Sequence, residues 1–331
     1  MLLLLATACR RNTDNPTPAT ASVTDVPPGF PEIPFEKDNP YTKEKWLLGK
    51  KLFFEKAFST DNSISCASCH RPSLAFSDNV ARSIGAGGIT GRRNAPTLAN
   101  VAYHPYYTRD GSVPTLEMQI LVPIQEHDEF NSNILEIAER LKQIPEYVTM
   151  SQAAYGREPD AYVITRALGI FERTLISGSS LYDAYIGGDA GMLSASAQRG
   201  LALFFSERTQ CSSCHSGFNF TNYAFTNNGL YMTYADSGRQ RFTGDTADRA
   251  HFKVPSLRNV ALTAPYMHDG SIATLQQVIT HYNSGGQPHP GKSPLIKPLN
   301  LTETEQADLL AFLSSLTDEH FIANSSFAED K

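Results

Sequence analysis

Two short stretches of the sequence combine a pair of cysteines with a histidine. Residues 66–70 read Cys-Ala-Ser-Cys-His, and residues 211–215 read Cys-Ser-Ser-Cys-His. In this spacing the two thiols attach one haem through thioether bonds, and the imidazole that follows ligates its iron. The sequence therefore predicts two covalent c-type haems and a redox function. The predicted attachment residues are Cys66 and Cys69 with the ligand His70, and Cys211 and Cys214 with the ligand His215.

An internal repeat relates the parts of the chain that follow the two motifs. Matching positions lie 159 residues apart, as Asp110 and Asp269 do (269 − 110). The matching stretches are Ala-Pro-Thr-Leu-Ala-Asn-Val at 95–101 with Val-Pro-Ser-Leu-Arg-Asn-Val at 254–260, and Asp-Gly-Ser at 110–112 and at 269–271. The repeat predicts a mainly α fold with two homologous cytochrome c-like domains, one over residues 41–180 and one over 181–331.

Apolar spacing and capping residues predict the helices that would position these groups. One helix is expected to begin near Thr42, and a capping box of Thr302 and Glu305 is expected to open another that covers 307–316. Further helices are predicted over 134–144, 161–176 and 194–205.

The first forty residues differ in composition from the rest of the chain. Residues 1–9 resemble a bacterial lipoprotein leader, because an apolar run and small residues precede Cys9. The alternative is an ordinary secretory leader with an incidental Cys9. Both predict export to the periplasm, and the first predicts a lipid anchor on Cys9. Residues 10–40 are rich in Thr, Pro, Asn and Asp, which favours a flexible tether.

The overall composition limits the possible functions. The 331 residues are 41% hydrophobic, which is enough for the cores of two domains. The net charge of −6 offers no basic face and argues against nucleic-acid binding. Four of the five cysteines belong to the haem motifs, so no disulfide pair is predicted.

The second axial position of a haem iron decides whether the haem transfers electrons or binds a substrate. In the second half, Leu275, Ile279 and Tyr282 have helical spacing, which puts Tyr282 on a buried face. There the tyrosine can ligate ferric iron as a phenolate, or it can simply fill the core. Other candidate ligands by residue type are Met232, Met267, His281 and His289.

In the first half, the repeat offset maps Tyr282 onto Pro123, which has no ligating side chain. Between His70 and His104 there is also no histidine or methionine. The first iron is therefore expected to keep an open position, where peroxide or another small oxidant can bind. Such a site needs a group that moves protons. Candidates are Gln119, on a helix face with Leu116, and the run Glu126, His127, Asp128 and Glu129, which could equally be a solvated loop.

These features resemble the bacterial di-haem cytochrome c peroxidases, including the MauG-type branch. The resemblance covers the chain from about residue 45 onward and rests on residues 52–54, both haem motifs, and residues 93–97 and 264–270. It implies that the first haem reacts with hydrogen peroxide. The second haem would accept electrons from a small cytochrome c or cupredoxin, and a homodimer is possible.

The resemblance also implies roles for individual residues. Glu129 corresponds to the family's catalytic glutamate, Gln119 to its distal glutamine and Tyr282 to the distal ligand of the second haem in MauG-type proteins. A calcium ion between the domains would be bound by the Asn94 side chain and the backbone carbonyls of Thr263 and Pro265.

The chain departs from many family members at three points. The Gly-rich loop 85–91 lacks their distal histidine, so the first haem is expected to need no reductive activation. Tyr282 replaces a methionine ligand. Arg109 replaces a tryptophan between the haems, which weakens the expected electronic link between them.

These features predict a peroxidase that reduces hydrogen peroxide to water. The alternatives are a MauG-like enzyme that oxidises a protein side chain through high-valent haem, and a non-enzymatic di-haem electron carrier.

Overall fold

The computed structural model describes residues 22–330, which are mainly helical. The predicted leader and Cys9 lie outside the described residues. The α-helices are α1 Lys43–Phe54, α2 Cys66–Cys69, α3 Leu116–Gln125, α4 Ile134–Lys142, α5 Pro145–Tyr155, α6 Ala161–Arg173, α7 Leu181–Ile186, α8 Ala195–Phe204, α9 Gln240–Thr243, α10 Leu275–Ser284, α11 Glu303–Ser314 and α12 Glu319–Ile322. Short 3₁₀ helices cover Lys56–Phe58, Pro72–Leu74, Ala86–Gly88, Val101–Tyr103, Cys211–Ser213, Thr246–Asp248, Val260–Leu262 and Ser325–Phe327. The strands β1 Phe225–Thr226 and β2 Phe252–Lys253 form an antiparallel pair.

The predicted helix starts are confirmed by their caps. The Thr42 hydroxyl accepts a hydrogen bond from the N–H of Lys45 at 3.3 Å and opens α1. Thr302 and Glu305 form the expected capping box at the start of α11. One predicted end is wrong, because α6 stops at Arg173 rather than near residue 176. The chain leaves the helix there and the Leu175 carbonyl accepts a hydrogen bond from another segment.

Both halves contain the same kind of helix crossing. In the first half α1 packs on α6, and in the second half α8 packs on α11. A Cβ atom on Gly49 would lie 1.9 Å from the carbonyl oxygen of Ala167, and one on Gly200 would lie 1.9 Å from that of Asp308. Only glycine permits backbones to approach so closely. The shared crossing confirms the predicted mainly α fold of two related halves.

The described residues contain one large aromatic core in each half. The second core includes Phe204, Phe220 and Phe312. The first core includes Phe53, Phe76 and Phe171, and two rings from the C-terminal segment join it, Phe321 and Phe327. Phe321 lies 5.6 Å from Phe76, measured between ring centroids. The range predicted for the second domain, 181–331, therefore contributes its last residues to the core of the first.

Residues 22–40, which we call the N-terminal strap, pack against both halves. The Tyr103 hydroxyl donates to the carbonyl of Pro31 at 2.8 Å, and the Asn39 amide donates to the carbonyl of Arg166 at 3.1 Å. The Phe30 ring lies 4.6 Å from that of Phe218 in the second half. The prediction of a flexible tether is therefore wrong for these residues. Aromatic side chains spaced among the prolines bury enough surface to hold them in place.

Candidate active site

The two predicted iron ligands have the same local environment. The Nδ1 atom of His70 lies 2.9 Å from the carbonyl oxygen of Phe76, and that of His215 lies 3.1 Å from the carbonyl oxygen of Phe220. Donation from Nδ1 leaves the lone pair on Nε2 of each ring, which is the atom that ligates a metal. Burial lowers the pKa of both imidazoles, which keeps them neutral as iron ligation requires.

A cavity of about 590 Å³ lies against the first motif. Its wall includes Cys66, Cys69 and His70. Ile120 and Ile124 of α3 contribute apolar surface. Two thiols and an imidazole beside an apolar cavity are the groups that a covalent haem needs. The residues present therefore fit the predicted cofactor.

Gln119 and Glu129 line this same cavity. Gln119 points inward from α3, and its buried Oε1 atom has no hydrogen-bond partner in residues 22–330. Glu129 lies four residues beyond the end of α3, and its side chain is exposed within the cavity. The surrounding protein withdraws it from bulk water and raises its pKa to about 7, and the charges of Asp128 and Glu126 act in the same direction. The structure thus brings an unpartnered amide and a titratable carboxyl to the wall beside His70.

The four residues of the run 126–129 differ in what their side chains contact. Arg92 bonds to the Asp128 carboxylate at 2.9 Å and also contacts Glu126. His127 is exposed. The backbone carbonyl of Glu129 accepts a hydrogen bond from Ala86 in the Gly-rich loop at 2.8 Å, which fixes the chain at this point. Glu126 and Asp128 therefore line the cavity while bound to Arg92, and Glu129 lines it without such a partner.

Three further titratable residues line this cavity, and the sequence analysis did not identify them as candidates. The Nε2 atom of His104 is buried without a partner among the described residues, and its Nδ1 lies 3.4 Å from Nζ of Lys253. Burial lowers the pKa of His104 well below its usual value and that of Lys253 to about 8. Burial also raises the pKa of Glu172 to about 8. Only Glu172 left a signal, as a lone acid four residues after Leu168 on the buried face of α6.

The second motif has Tyr282 beside it. Tyr282 and Cys211 pack against the same hydrophobic core of the second half, and burial raises the pKa of Tyr282. The amide nitrogen of Asn228 lies 3.4 Å from the Tyr282 hydroxyl and 3.2 Å from the sulfur of Met267. Asn228 therefore contacts both candidate ligands, Tyr282 and Met267.

The remaining candidate ligands are engaged elsewhere or turned to solvent. Nε2 of His281 lies 3.1 Å from the Asn228 carbonyl oxygen, and Nδ1 of His289 accepts from the N–H of Gly291 at 3.0 Å. Met232 is 62% exposed. Ligation by Tyr282 remains a prediction, with Met267 as its rival.

Comparison with known proteins agrees with this arrangement. Residues 43–191 match the family model for di-haem cytochrome c peroxidase, and residues 197–317 match that for cytochrome c. The methylamine utilization protein MauG of Methylorubrum extorquens is 40% identical, with 87% of this chain and 82% of that protein covered. The chain belongs to the di-haem cytochrome c peroxidase family. Members are di-haem oxidoreductases whose two cytochrome c domains carry two covalent haem c groups.

Two other similar proteins represent both branches of the family. The cytochrome-c peroxidase IdrP1 of Denitromonas iodatirespirans is 35% identical, with 91% of this chain and 90% of that protein covered. The crystal structure of a MauG-like protein associated with microbial copper homeostasis superposes with a TM-score of 0.87 at 37% identity, covering 92% of this chain and 98% of that one. Family membership alone therefore does not choose between peroxide reduction and a MauG-type reaction.

The residues that the resemblance assigned to calcium do not fit that ion. The Asn94 side-chain oxygen already accepts a hydrogen bond from Nη2 of Arg109 at 2.6 Å. A guanidinium at this distance occupies the oxygen that calcium requires and repels a second cation. Thr263 caps the 3₁₀ helix Val260–Leu262, and Pro265 follows two residues later.

Proposed function

We propose that this protein is a peroxidase that reduces hydrogen peroxide to two water molecules. It takes two electrons from a small cytochrome c or cupredoxin and two protons from the solvent, and peroxide binds at the haem held by Cys66, Cys69 and His70. One observation carries the proposal. The Glu129 carboxyl, with its pKa near 7, and the unpartnered Gln119 amide line the same cavity as His70.

The side chains have separate tasks in this reaction. When bound, the first haem supplies the iron that holds peroxide and the electrons that break the O–O bond. Glu129 in its carboxylate form would accept the proton from one peroxide oxygen and return it to the other, which would leave as water. A pKa near neutrality suits both transfers. The Gln119 oxygen accepts a hydrogen bond from the bound peroxide and orients it.

The proposal is tested first by spectroscopy of the fully oxidised protein. We expect EPR and visible spectra to show one high-spin and one low-spin haem, with the high-spin signal changing at once when one equivalent of peroxide is added. Turnover with a reduced small cytochrome c should follow without prior half-reduction. Two low-spin haems that do not respond to peroxide would contradict the proposal and support the electron carrier.

A MauG-like reaction is the second candidate. Tyr282 beside the second motif favours it, as does the 40% identity to a MauG protein. Arg109, in place of an aromatic bridge, argues against it. The discriminating measurement is peroxide consumption without an external donor. Slow consumption with a long-lived oxidised state favours the MauG-like reaction, and rapid decay that requires a donor favours the peroxidase.

We also propose that the chain acts in the periplasm, attached to a membrane by lipid on Cys9. Among residues 22–330 no helix is long and apolar enough to cross a membrane. Mass spectrometry of the purified protein tests the anchor, because a lipidated Cys9 would be the first residue and would carry the mass of its acyl chains. Substitution of Cys9 by serine should then release the protein from the membrane fraction.

A further inference from the structure

The polar groups of Asn94 are all engaged within the chain. Its backbone N–H donates to the carbonyl of His268 at 2.9 Å, and its side-chain nitrogen donates to the carbonyl of Val80 at 3.0 Å. Its two oxygens accept from one residue. Nε of Arg109 donates to the backbone oxygen at 2.8 Å, and Nη2 donates to the side-chain oxygen at 2.6 Å. A single planar guanidinium therefore binds both oxygens of Asn94.

Asn94 and Arg109 also connect the two halves of the molecule. The bond from Asn94 to His268 crosses from the first half to the second. The backbone carbonyl of Arg109 accepts a hydrogen bond from the N–H of Lys253 at 2.7 Å, which also joins the two halves. Because the Arg109 guanidinium binds Asn94 through two donors, it fixes the positions of these two hydrogen bonds relative to each other.

Two of the neighbouring carboxylates are already paired with another arginine, and a third, that of Asp269, accepts a hydrogen bond from the Tyr231 hydroxyl at 2.7 Å. Arg93 donates to Asp110 at 2.7 Å and to Asp236 at 2.7 Å. Calcium is bound in proteins by carboxylate, amide and backbone carbonyl oxygens. With both acids neutralised by Arg93 and both Asn94 oxygens bound to Arg109, a divalent cation would find positive charge on either side.

We propose that the Arg109 guanidinium replaces the interdomain calcium ion of related proteins, so that this protein joins its two haem domains without a metal ion. Arg109 is a positioning residue in this role. It supplies positive charge and a directed donor to the Asn94 side-chain oxygen, which a metal ion would otherwise bind, and its second donor holds the Asn94 backbone oxygen.

The test uses the di-haem holoprotein and does not depend on its activity. Elemental analysis after gel filtration should find far less than one calcium per chain, and the melting temperature should be the same in calcium and in EGTA. Arg109→Gln removes the charge and opens space at Asn94. This variant should melt at a lower temperature in EGTA and should regain stability in calcium, with about one calcium bound per chain.

Arg241→Gln is the matched control. Arg241 lines the same cavity beside the first haem motif as Arg109 does, and its guanidinium lies 3.8 Å from the Asp110 carboxylate. It should show no response to calcium. One calcium per wild-type chain whose removal lowers the melting temperature would overturn the proposal. So would an Arg109→Gln protein that melts like wild type in EGTA, or one that calcium fails to stabilise. If Arg109→Gln does not fold, the wild-type calcium content and EGTA response decide.

Discussion

Gln119, within α3, and Glu129, four residues beyond its end, line one cavity, and the buried Oε1 atom of Gln119 has no hydrogen-bond partner among the described residues. We expect Glu129→Gln to lower kcat/KM for peroxide by about 10²–10⁴-fold, because the amide keeps the shape but cannot carry the proton. The measurement is steady-state peroxide reduction with a reduced small cytochrome c. Glu139→Gln, on the exposed side of α4, is the matched control and should behave as wild type. A Glu129→Gln protein with the wild-type rate would remove Glu129 from the mechanism.

The pH dependence of peroxide reduction follows from the raised pKa of Glu129, about 7. Below that pH the carboxyl is protonated and cannot accept the first proton, so kcat/KM for peroxide is expected to rise about tenfold per pH unit up to about pH 7 and then to level off. Asp128 and Glu126 hold this pKa up and Arg92 holds it down. Arg92→Gln should therefore move the rise to higher pH. A profile that is flat from pH 5 to 8 in wild type would contradict the assignment.

Much of the site could be predicted because its groups are close together in sequence. The haem motifs are local, and the repeat offset led directly to Pro123 and to Tyr282. Helical spacing placed Tyr282 on the buried face of α10, where the structure has it. The haem motifs and the helical spacing depend on residues within one turn or one helix, and the repeat is visible in the sequence itself. These features can therefore be predicted without knowledge of long-range contacts.

Long-range contacts could not be predicted from the same signals. The sequence predicts a tether for the N-terminal strap because prolines and charged residues are frequent in it, and four apolar side chains that anchor it, Val23, Phe30, Ile33 and Phe35, are spaced among them. Phe321 and Phe327 were assigned to the second domain, although they complete the first core. Arg109 was recognised as a replacement for tryptophan, but its bond to Asn94 depends on how the loops fold together.

The two helix crossings give a paired stability prediction. Gly49→Ala and Gly200→Ala each place a Cβ atom 1.9 Å from a backbone carbonyl oxygen, so the helices must separate. Each substitution should lower the free energy of unfolding by about 2–3 kcal/mol, measured by denaturant titration of the holoprotein. Gly191→Ala is the control, because its Cβ atom would meet nothing nearer than 3.4 Å. Equal stability of all three variants would show that the crossings can relax.

The ligand of the second haem can be identified by potentiometry. If the Tyr282 phenolate binds the iron, Tyr282→Met should raise the reduction potential of that haem, because a neutral thioether stabilises ferrous iron and a phenolate stabilises ferric iron. A rise of about 0.1–0.3 V lies within the roughly 0.8 V that axial ligands span. Tyr231→Phe is the matched control, since that hydroxyl bonds to Asp269 at 2.7 Å.

An unchanged potential in Tyr282→Met would exclude the phenolate. Met267 is then the ligand to examine, because its sulfur shares the Asn228 amide with the Tyr282 hydroxyl. In that case Met267→Leu should alter the low-spin spectrum of the oxidised protein, and Tyr282→Phe should leave it as in wild type. With Tyr282 as ligand the two variants exchange these results, so the pair assigns the ligand whichever residue binds.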